Sequence, residues 1–193
     1  MRITGADGAR MQGDPVVSDS LADLADKQAI TELIHAYCRA VDRLDVPLGR
    51  SIWHEDGYAD YGAGYYQGPG RDVIDRICQD HLGLVSHSHL VSNILIRLDG
   101  EDAGSEAYVN ASLRLMREGA HHQIGVRARY CDRWQKRGDR WGLLHRVVVF
   151  DHQEIREVRP MPGHGLPAAR DRSDPSYRVL AGGRPEHNEM ETR

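Results

Sequence analysis

The stretch from Leu21 to Leu44, LADLADKQAITELIHAYCRAVDRL, sets the frame for the fold. Residues three and four apart share one face of an α-helix, and the apolar side chains of this stretch recur at those steps. They are Leu24, Ile30, Leu33, Ile34, Tyr37 and Val41. The spacing therefore predicts a long amphipathic helix with one buried stripe.

Two further helices are predicted after it. Asp45 is a good helix cap, and a short helix is predicted over Leu48–Trp53. Residues 55–67 are rich in Gly and Tyr and indicate a short irregular hairpin. Over Gly70–Leu82 the apolar residues again have helical spacing, which predicts a third helix.

After Gly83 the apolar period changes from near 3.6 to 2, which indicates β-strands. Four extended segments follow, namely His87–Leu98, Ala103–Met116, Gln123–Lys136 and Trp141–Val158. Gly-containing turns at residues 99–102 and 137–139 suit hairpins and predict an antiparallel meander. Three helices and such a sheet bury their apolar faces if the sheet curls around the first helix, so an α+β cone with an interior is expected.

The 193 residues fit a single domain, which we place at residues 20–159. Residues 1–19 are rich in Gly, Asp and Ser and predict a flexible N-terminal arm. In residues 160–193 the Pro, Gly, Arg and Asp content rises and periodicity ends. This C-terminal tail is expected to be irregular, either disordered or laid across a partner subunit.

Composition argues against several classes of protein. A net charge of −4, from 25 basic and 29 acidic residues, is unlike that of a nucleic-acid-binding protein. Membrane-length apolar runs and an export signal are not evident, so a cytoplasmic protein is expected. Cys38, Cys78 and Cys131 are odd in number and widely spaced, which argues against a disulfide framework or a zinc knuckle.

Alternation along the first two long strands brings polar residues together, because successive side chains point to opposite faces. On the first strand one mixed face carries His87, His89, Val91 and Asn93. On the second strand a mixed face carries Tyr108, Asn110 and Ser112. If these faces line the cone, they form a pocket; the alternative is an ordinary solvent-exposed face.

Asp42 is a candidate acid at the border of the apolar stripe of the first helix. A carboxylate in that position is costly unless it is paired. Spacing alone favours an ion pair with Arg39 or Arg43. Tyr37 lies within the stripe, where packing in the core is the simpler role.

A family resemblance gives these residues a context. It is carried by IHAYCRAVDRLD (residues 34–45), His54-Glu-Asp56, Tyr61-Gly62, Gly68, residues 89–93, and Gly138-Asp-Arg-Trp141 with Arg146. Over residues 21–158 the chain resembles the SnoaL-like branch of the nuclear transport factor 2-like superfamily. The resemblance implies a cone-shaped α+β fold with a small-molecule cavity and chemistry without a cofactor. Similar members include scytalone dehydratase, bile-acid dehydratase, hexachlorocyclohexane dehydrochlorinase and sphingomonad lyases that deformylate lignin-derived dimers.

The resemblance also implies roles for three residues. The helix carboxylate of these enzymes falls on Asp42 and their strand histidine on His89, and a tyrosine of the bile-acid enzyme falls on Tyr37. Where that enzyme has a further strand aspartate, near Asn110 or Ser112, this chain has no acid, which argues against bile-acid dehydration. In the implied pair the imidazole moves a proton and the carboxylate orients it and stabilises its charge.

Other residues are predicted to shape the substrate pocket. Aromatic side chains near the pair suit an aromatic or alicyclic substrate. His54 and Tyr61 fall near the predicted cavity mouth, where packing or exposure is the alternative. The full set of predicted substrate-binding residues is His54, Tyr61, Asn93, Tyr108, Asn110 and Trp53.

Neither a metal nor a nucleotide cofactor is expected. His87-Ser-His89 and His121-His122 could supply imidazole ligands, but no third ligand stands at a diagnostic spacing. The run Gly62–Gly68 lacks the spacing and the strand-to-helix context of a dinucleotide-binding loop.

We therefore expect a cofactor-independent lyase. The run from Tyr37 to Gly68 most resembles the sphingomonad proteins, so deformylation or dehydration of a lignin-derived diaryl dimer is the leading hypothesis. The alternatives are a polyketide- or steroid-type dehydratase or isomerase, a non-catalytic binding module, and the small subunit of a ring-hydroxylating dioxygenase. A dimer or trimer is expected because a curled sheet leaves one broad face uncovered.

Overall fold

The computed structural model describes residues 19–161, 163 and 165–182, so the predicted arm lies outside it except for Asp19. Within these described residues, four helices and six strands follow one another. They are α1 (Leu21–Asp42), α2 (Val46–Ser51), β1 (Trp53–Asp60), β2 (Gln67–Pro69), α3 (Gly70–Leu82), β3 (Ser86–Asp99), β4 (Asp102–Arg117), β5 (Ala120–Arg137), β6 (Arg140–Glu157) and α4 (Pro175–Leu180). The predicted α+β class is confirmed.

Helix α1 begins at a capping box. The Ser20 hydroxyl accepts from the Asp23 backbone N–H at 3.1 Å, and the Asp23 carboxylate accepts from the Ser20 backbone N–H at 2.9 Å. These bonds satisfy two groups that a helix N-terminus otherwise leaves unpaired. The predicted stripe is buried at Ile30, Ile34, Tyr37 and Val41. Helix α1 therefore supplies one side of the core.

The other two N-terminal helices are close to their predicted positions. Helix α3 has the predicted bounds. Helix α2 begins earlier than predicted, because Asp45 caps it by accepting from Leu48 N–H and Pro47 fits the first turn, where its missing N–H costs nothing. Gly70 starts α3 against the ring of Trp53, where a Cβ atom would lie 2.0 Å from a ring carbon.

The six strands form one curled sheet in the order β2-β1-β6-β5-β4-β3. Strands β3 to β6 form the predicted antiparallel meander. The predicted irregular hairpin is present as the antiparallel pair of β1 and β2, and β1 also pairs parallel with β6, which was not predicted. A parallel pair is allowed here because no tight turn joins β1 to β6. Helices α1 and α3 pack inside the curl, and the cone-shaped fold is confirmed.

Strand β3 contains a bulge that reverses its faces. Ser92 pairs with Tyr108 and Leu95 with Glu106, so β3 carries one extra residue between these pairs. Asn93 lies there with φ of 51°, a left-handed conformation that Asn tolerates. The core-facing residues are His89 and Val91 before the bulge, but the even-numbered Ile94, Ile96 and Leu98 after it. Strict alternation along the whole strand was wrong.

The predicted irregular C-terminal tail contains helix α4, which packs on the same chain. Arg39 donates to the Ser176 hydroxyl at 2.9 Å, and the Tyr177 hydroxyl donates to Asp45 at 3.0 Å. Arg43 lies 3.5 Å from the Asp174 carboxylate. These contacts hold the tail along the outer side of α1 and α2. No helix in the described part of the chain is long and apolar enough to cross a membrane.

Candidate active site

A cavity of about 480 Å³ lies between the helices and the concave face of the sheet. Helices α1 and α3 supply one wall. The sheet contributes mostly aliphatic side chains, including Val109, Ala111 and Leu113 of β4, Val126 and Ala128 of β5 and Val148 of β6. Such an apolar enclosure with a few polar groups is typical of small-molecule sites.

Asp42 and His89 meet at the edge of this cavity. The Asp42 Oδ1 atom lies 2.7 Å from His89 Nδ1, and its Oδ2 atom accepts from the His89 backbone N–H at 3.0 Å. Because an ionised carboxylate only accepts hydrogen bonds, this contact favours the neutral tautomer with the proton on Nδ1 and the lone pair on Nε2. The predicted contact of the two side chains is confirmed.

The pairing answers a local electrostatic problem. Asp42 is the last residue of α1, where unpaired carbonyl groups disfavour a negative charge. The ion pair with Arg39 or Arg43 that spacing favoured is wrong, because those side chains bond to Ser176 and Asp174 on the C-terminal segment. His89 takes their place and ties the end of α1 to strand β3.

Two further imidazoles lie beside His89. His81, in the last turn of α3, stacks on it with ring centroids 5.7 Å apart and planes at 20°. His87 lies 4.5 Å from His81 between centroids, and its Nε2 is 3.1 Å from the Val41 carbonyl oxygen. Burial lowers the pKa of His81 to about 4, and the neighbouring His87 and His89 add to the shift. Burial also lowers the pKa of His87.

A charged pair lies fully buried beneath the cavity. Arg146 donates two hydrogen bonds to Asp132, from Nε at 2.8 Å and from Nη2 at 2.7 Å. The guanidinium lies between two rings, 4.1 Å from the Tyr37 centroid and 3.8 Å from that of Tyr130. The two rings are nearly perpendicular, with an interplanar angle of 76°, so the guanidinium packs into the corner between them while it holds the carboxylate with two hydrogen bonds.

Tyrosine hydroxyls form the polar end of the cavity. Tyr37 and Tyr61 are hydrogen-bonded to each other through their hydroxyl groups, and both line the cavity. Burial raises the pKa of both phenols, so each is neutral at physiological pH. Tyr130, which was not predicted, lines the same region. These hydroxyls can therefore serve as hydrogen-bond donors or acceptors, not as bases.

Three predicted pocket residues lie on the opposite face of the sheet. Asn93, Tyr108 and Asn110 line a separate open groove on the convex side. Their assignment to the cavity was wrong for two reasons. The bulge turns Asn93 outward, and in β4 the aliphatic face, not the mixed one, covers the core.

Two more predicted pocket residues are structural. Trp53 is completely buried and packs on α3 at Gly70. His54 is buried with its Nε2 atom 2.8 Å from the Gln135 carbonyl oxygen. Neither lines the cavity, so of the predicted substrate-binding set only Tyr61 does.

Sequence reasoning missed His81, although a signal was present. It lies four residues after Ile77 and seven after Ile74, which places an imidazole on the buried stripe of α3. Asp132 and Arg146 were also missed as a pair, although they are directly opposite in the β5–β6 register. Among the described residues, no group of three or more His, Cys, Asp or Glu side chains is arranged to hold a metal ion.

The fold and the site together define a class: cone-shaped α+β proteins with a carboxylate and a histidine at the wall of an apolar cavity. The chain belongs to the SnoaL-like domain family, whose model matches residues 22–147. This finding confirms the resemblance drawn from the sequence. No curated protein sequence matches the chain significantly.

Solved structures share the fold. A hexachlorocyclohexane dehydrochlorinase (LinA) of type 2 is similar with a TM-score of 0.63 and 18% identity, covering 74% of this chain and 97% of that one. The Kfla4162 protein of Kribbella flavida has a TM-score of 0.61 and 19% identity, covering 68% and 94%. A proposed scytalone dehydratase of Novosphingobium aromaticivorans DSM 12444 has a TM-score of 0.60 and 20% identity, covering 75% and 96%.

Proposed function

We propose that this protein is a cofactor-independent lyase that acts on a small aromatic or alicyclic substrate. The observation that carries the proposal is the 2.7 Å contact of His89 Nδ1 with Asp42 at the wall of an apolar cavity. It fixes the imidazole with Nε2 as the free base. A purely structural histidine gains nothing from a basic nitrogen beside a ligand-sized cavity.

His89 would remove a proton from the substrate through Nε2. The resulting imidazolium is stabilised by the Asp42 carboxylate, which already holds Nδ1–H and the strand backbone. Proton transfer by a positioned side chain contributes about 10²–10⁴-fold to a rate. Tyr37 and Tyr61, neutral because of burial, would hydrogen-bond an oxygen of the substrate.

Two reactions fit this arrangement. Deformylation or dehydration of a lignin-derived diaryl dimer is our leading assignment, supported by the resemblance of residues 37–68 to the sphingomonad lyases. Elimination from an alicyclic or polyketide-type substrate is the second, supported by the shared fold with proteins described as a dehydrochlorinase and a dehydratase. Both need a base and no redox cofactor.

Two other candidates would leave the site without a use. A binding module or a dioxygenase small subunit does not need a carboxylate-oriented base at a cavity wall. The homo-oligomer expected from the sequence stays a prediction.

The test is a substrate screen with two products followed at once. A propanediol carrying two phenolic rings would give one stilbene, one formaldehyde and one water by deformylation, whereas simple dehydration would give water and an unsaturated alcohol. Stilbene absorbance and formaldehyde release separate these reactions. Turnover should survive exhaustive chelation. The proposal fails if no diaryl diol or alicyclic elimination substrate turns over, or if His89→Gln turns over as fast as the unsubstituted protein.

A further inference from the structure

The His81 ring lines the cavity, and the folded protein leaves it without a hydrogen bond. The side chain is 8% exposed, and its Nδ1 atom is buried without a hydrogen-bond partner among the described residues. Within the same part of the chain, no hydrogen bond involves the His81 ring. The Nε2 atom of the same ring has no hydrogen-bond partner there either and is not enclosed in this way, so Nε2 is the atom that a ligand in the cavity can reach.

Every nearby acid already has its own partner. Asp42 holds His89, and Asp80 accepts from Arg76 at 2.8 Å and from the Tyr65 hydroxyl at 3.0 Å. The rings that lie next to His81 are the imidazoles of His87 and His89, with centroids 4.5 Å and 5.7 Å away. Burial, with His87 and His89 beside the ring, outweighs the attraction of Asp42 and Asp80 and lowers the pKa of His81 to about 4, so His81 is a neutral imidazole near pH 7.

We propose that His81 contacts the substrate directly and hydrogen-bonds a neutral hydroxyl group next to the atom that His89 deprotonates. This inference rests on the proposed function of the cavity. The ligand class is an alcohol with an apolar, ring-bearing body.

A hydroxyl group matches a neutral imidazole better than other polar groups do. The neutral ring has one N–H donor and one acceptor nitrogen, and a hydroxyl both donates and accepts, so it suits either tautomer. A carbonyl group can only accept. A carboxylate would lie near Asp42 and Asp80 and would be repelled.

The stack with His89 gives the two rings different tasks. Their planes differ by 20° and their centroids are 5.7 Å apart, so both can reach neighbouring atoms of one ligand. The Asp42 carboxylate is hydrogen-bonded to His89 at 2.7 Å, whereas no carboxylate among the described residues is hydrogen-bonded to the His81 ring. His89 is therefore the base, and His81 selects and positions the hydroxyl group.

The experiment compares two probes of matched shape. Hydrobenzoin carries two hydroxyl groups on a diphenylethane frame, and bibenzyl is the same frame without them. Dissociation constants are measured by calorimetry or fluorescence for the unsubstituted protein, His81→Phe and His81→Gln. His152→Gln, on the exposed outer part of β6, is the control for replacing a histidine.

His81→Phe should weaken hydrobenzoin binding about tenfold and leave bibenzyl binding within about twofold, because a single hydrogen bond is removed. His81→Gln should restore part of the preference, since its amide can donate and accept. The ¹⁵N resonances of the His81 ring in the unsubstituted protein should shift with hydrobenzoin and not with bibenzyl. That measurement does not depend on the folding of a variant.

An unchanged hydrobenzoin-to-bibenzyl ratio in folded His81→Phe, or identical ¹⁵N shifts with both probes, would overturn the inference. So would failure of the unsubstituted protein to bind either probe. Binding is measured without turnover, so a protein that prefers hydrobenzoin through His81 but catalyses no elimination or deformylation would lose the proposed reaction and keep this contact.

Discussion

Two carboxylates in this protein each hold a basic side chain, and their surroundings differ. The Asp42–His89 pair lies at the cavity wall with side chains 15% and 10% exposed. The Asp132–Arg146 pair is completely enclosed between Tyr37 and Tyr130. An imidazole can gain or lose a proton near neutral pH, whereas a guanidinium keeps its charge. The first pair is accessible and includes a titratable imidazole, so it is suited to chemistry. The second pair is enclosed and keeps its charge, so it is suited to stabilising the fold.

Neutralising the enclosed pair should have the largest effect. Asp132→Asn keeps the shape but leaves the buried Arg146 charge uncompensated, so the free energy of unfolding should fall by about 3–5 kcal/mol. Urea denaturation followed by circular dichroism measures it. Asp42→Asn is the matched control, and it should cost far less because that carboxylate is partly exposed. Equal losses in the two variants would remove the distinction between the pairs.

Replacing the base should have the next largest effect, and it should fall on activity. His89→Gln should lower turnover by about 10²-fold or more while the urea midpoint changes little, since an interaction specific to the transition state is removed. Steady-state kinetics on the substrate found by the screen measures it. A variant that loses stability but keeps its turnover number would make this pair structural as well.

Weakening the carboxylate should have a smaller effect on rate. Asp42→Asn should lower turnover about tenfold or more, because the amide no longer stabilises the imidazolium. Its effect should be non-additive with that of His89→Gln, since both act through one proton transfer. A double variant whose loss equals the product of the two single losses would show that the side chains act independently.

The smallest expected effect is on the pH dependence of stability, and it comes from His81, whose ring is not hydrogen-bonded to a carboxylate. The pKa of His81 in the folded protein is about 4, below the 6.5 usual for histidine, so the unfolded chain takes up a proton first as the pH falls. The contribution of His81 to the free energy of unfolding should therefore decrease by about 1 kcal/mol as the pH falls from about 7 to 5.5. His81→Phe should have a correspondingly shallower pH dependence in urea denaturation. An identical slope would show that His81 titrates normally in the folded state.

Much of the fold could be predicted because it depends on local patterns. The stripe of α1, the bounds of α3 and the four long strands follow from apolar spacing and from turns at Gly100 and Gly138, whose φ values are 61° and 62°. The place of the β1–β2 hairpin in the sheet could not be predicted in the same way. It depends on the parallel pairing of β1 with β6, which comes late in the chain.

The site was predictable only in part. Asp42 was found at the border of the helix stripe and His89 on the mixed face of the first long strand, and the family resemblance indicated both residues. Alternation in β4 separated Tyr108 and Asn110 from the aliphatic residues, but it could not show which face lies inside. His81 went unnoticed because a histidine on an apolar stripe looks like an ordinary core residue until its neighbours are known.

The sequence by itself determined helices α1 and α3, the four long strands and which side chains of β4 share a face, because these depend on spacing along a few turns or a single strand. The tertiary structure alone decided which face of the sheet turns inward and which basic side chain pairs with Asp42 and with Asp132. One extra residue at Asn93 exchanges the two faces of strand β3 for the residues that follow it. The curl of the sheet brings β3 against the end of α1. Such contacts join residues far apart in the chain, so no local pattern encodes them.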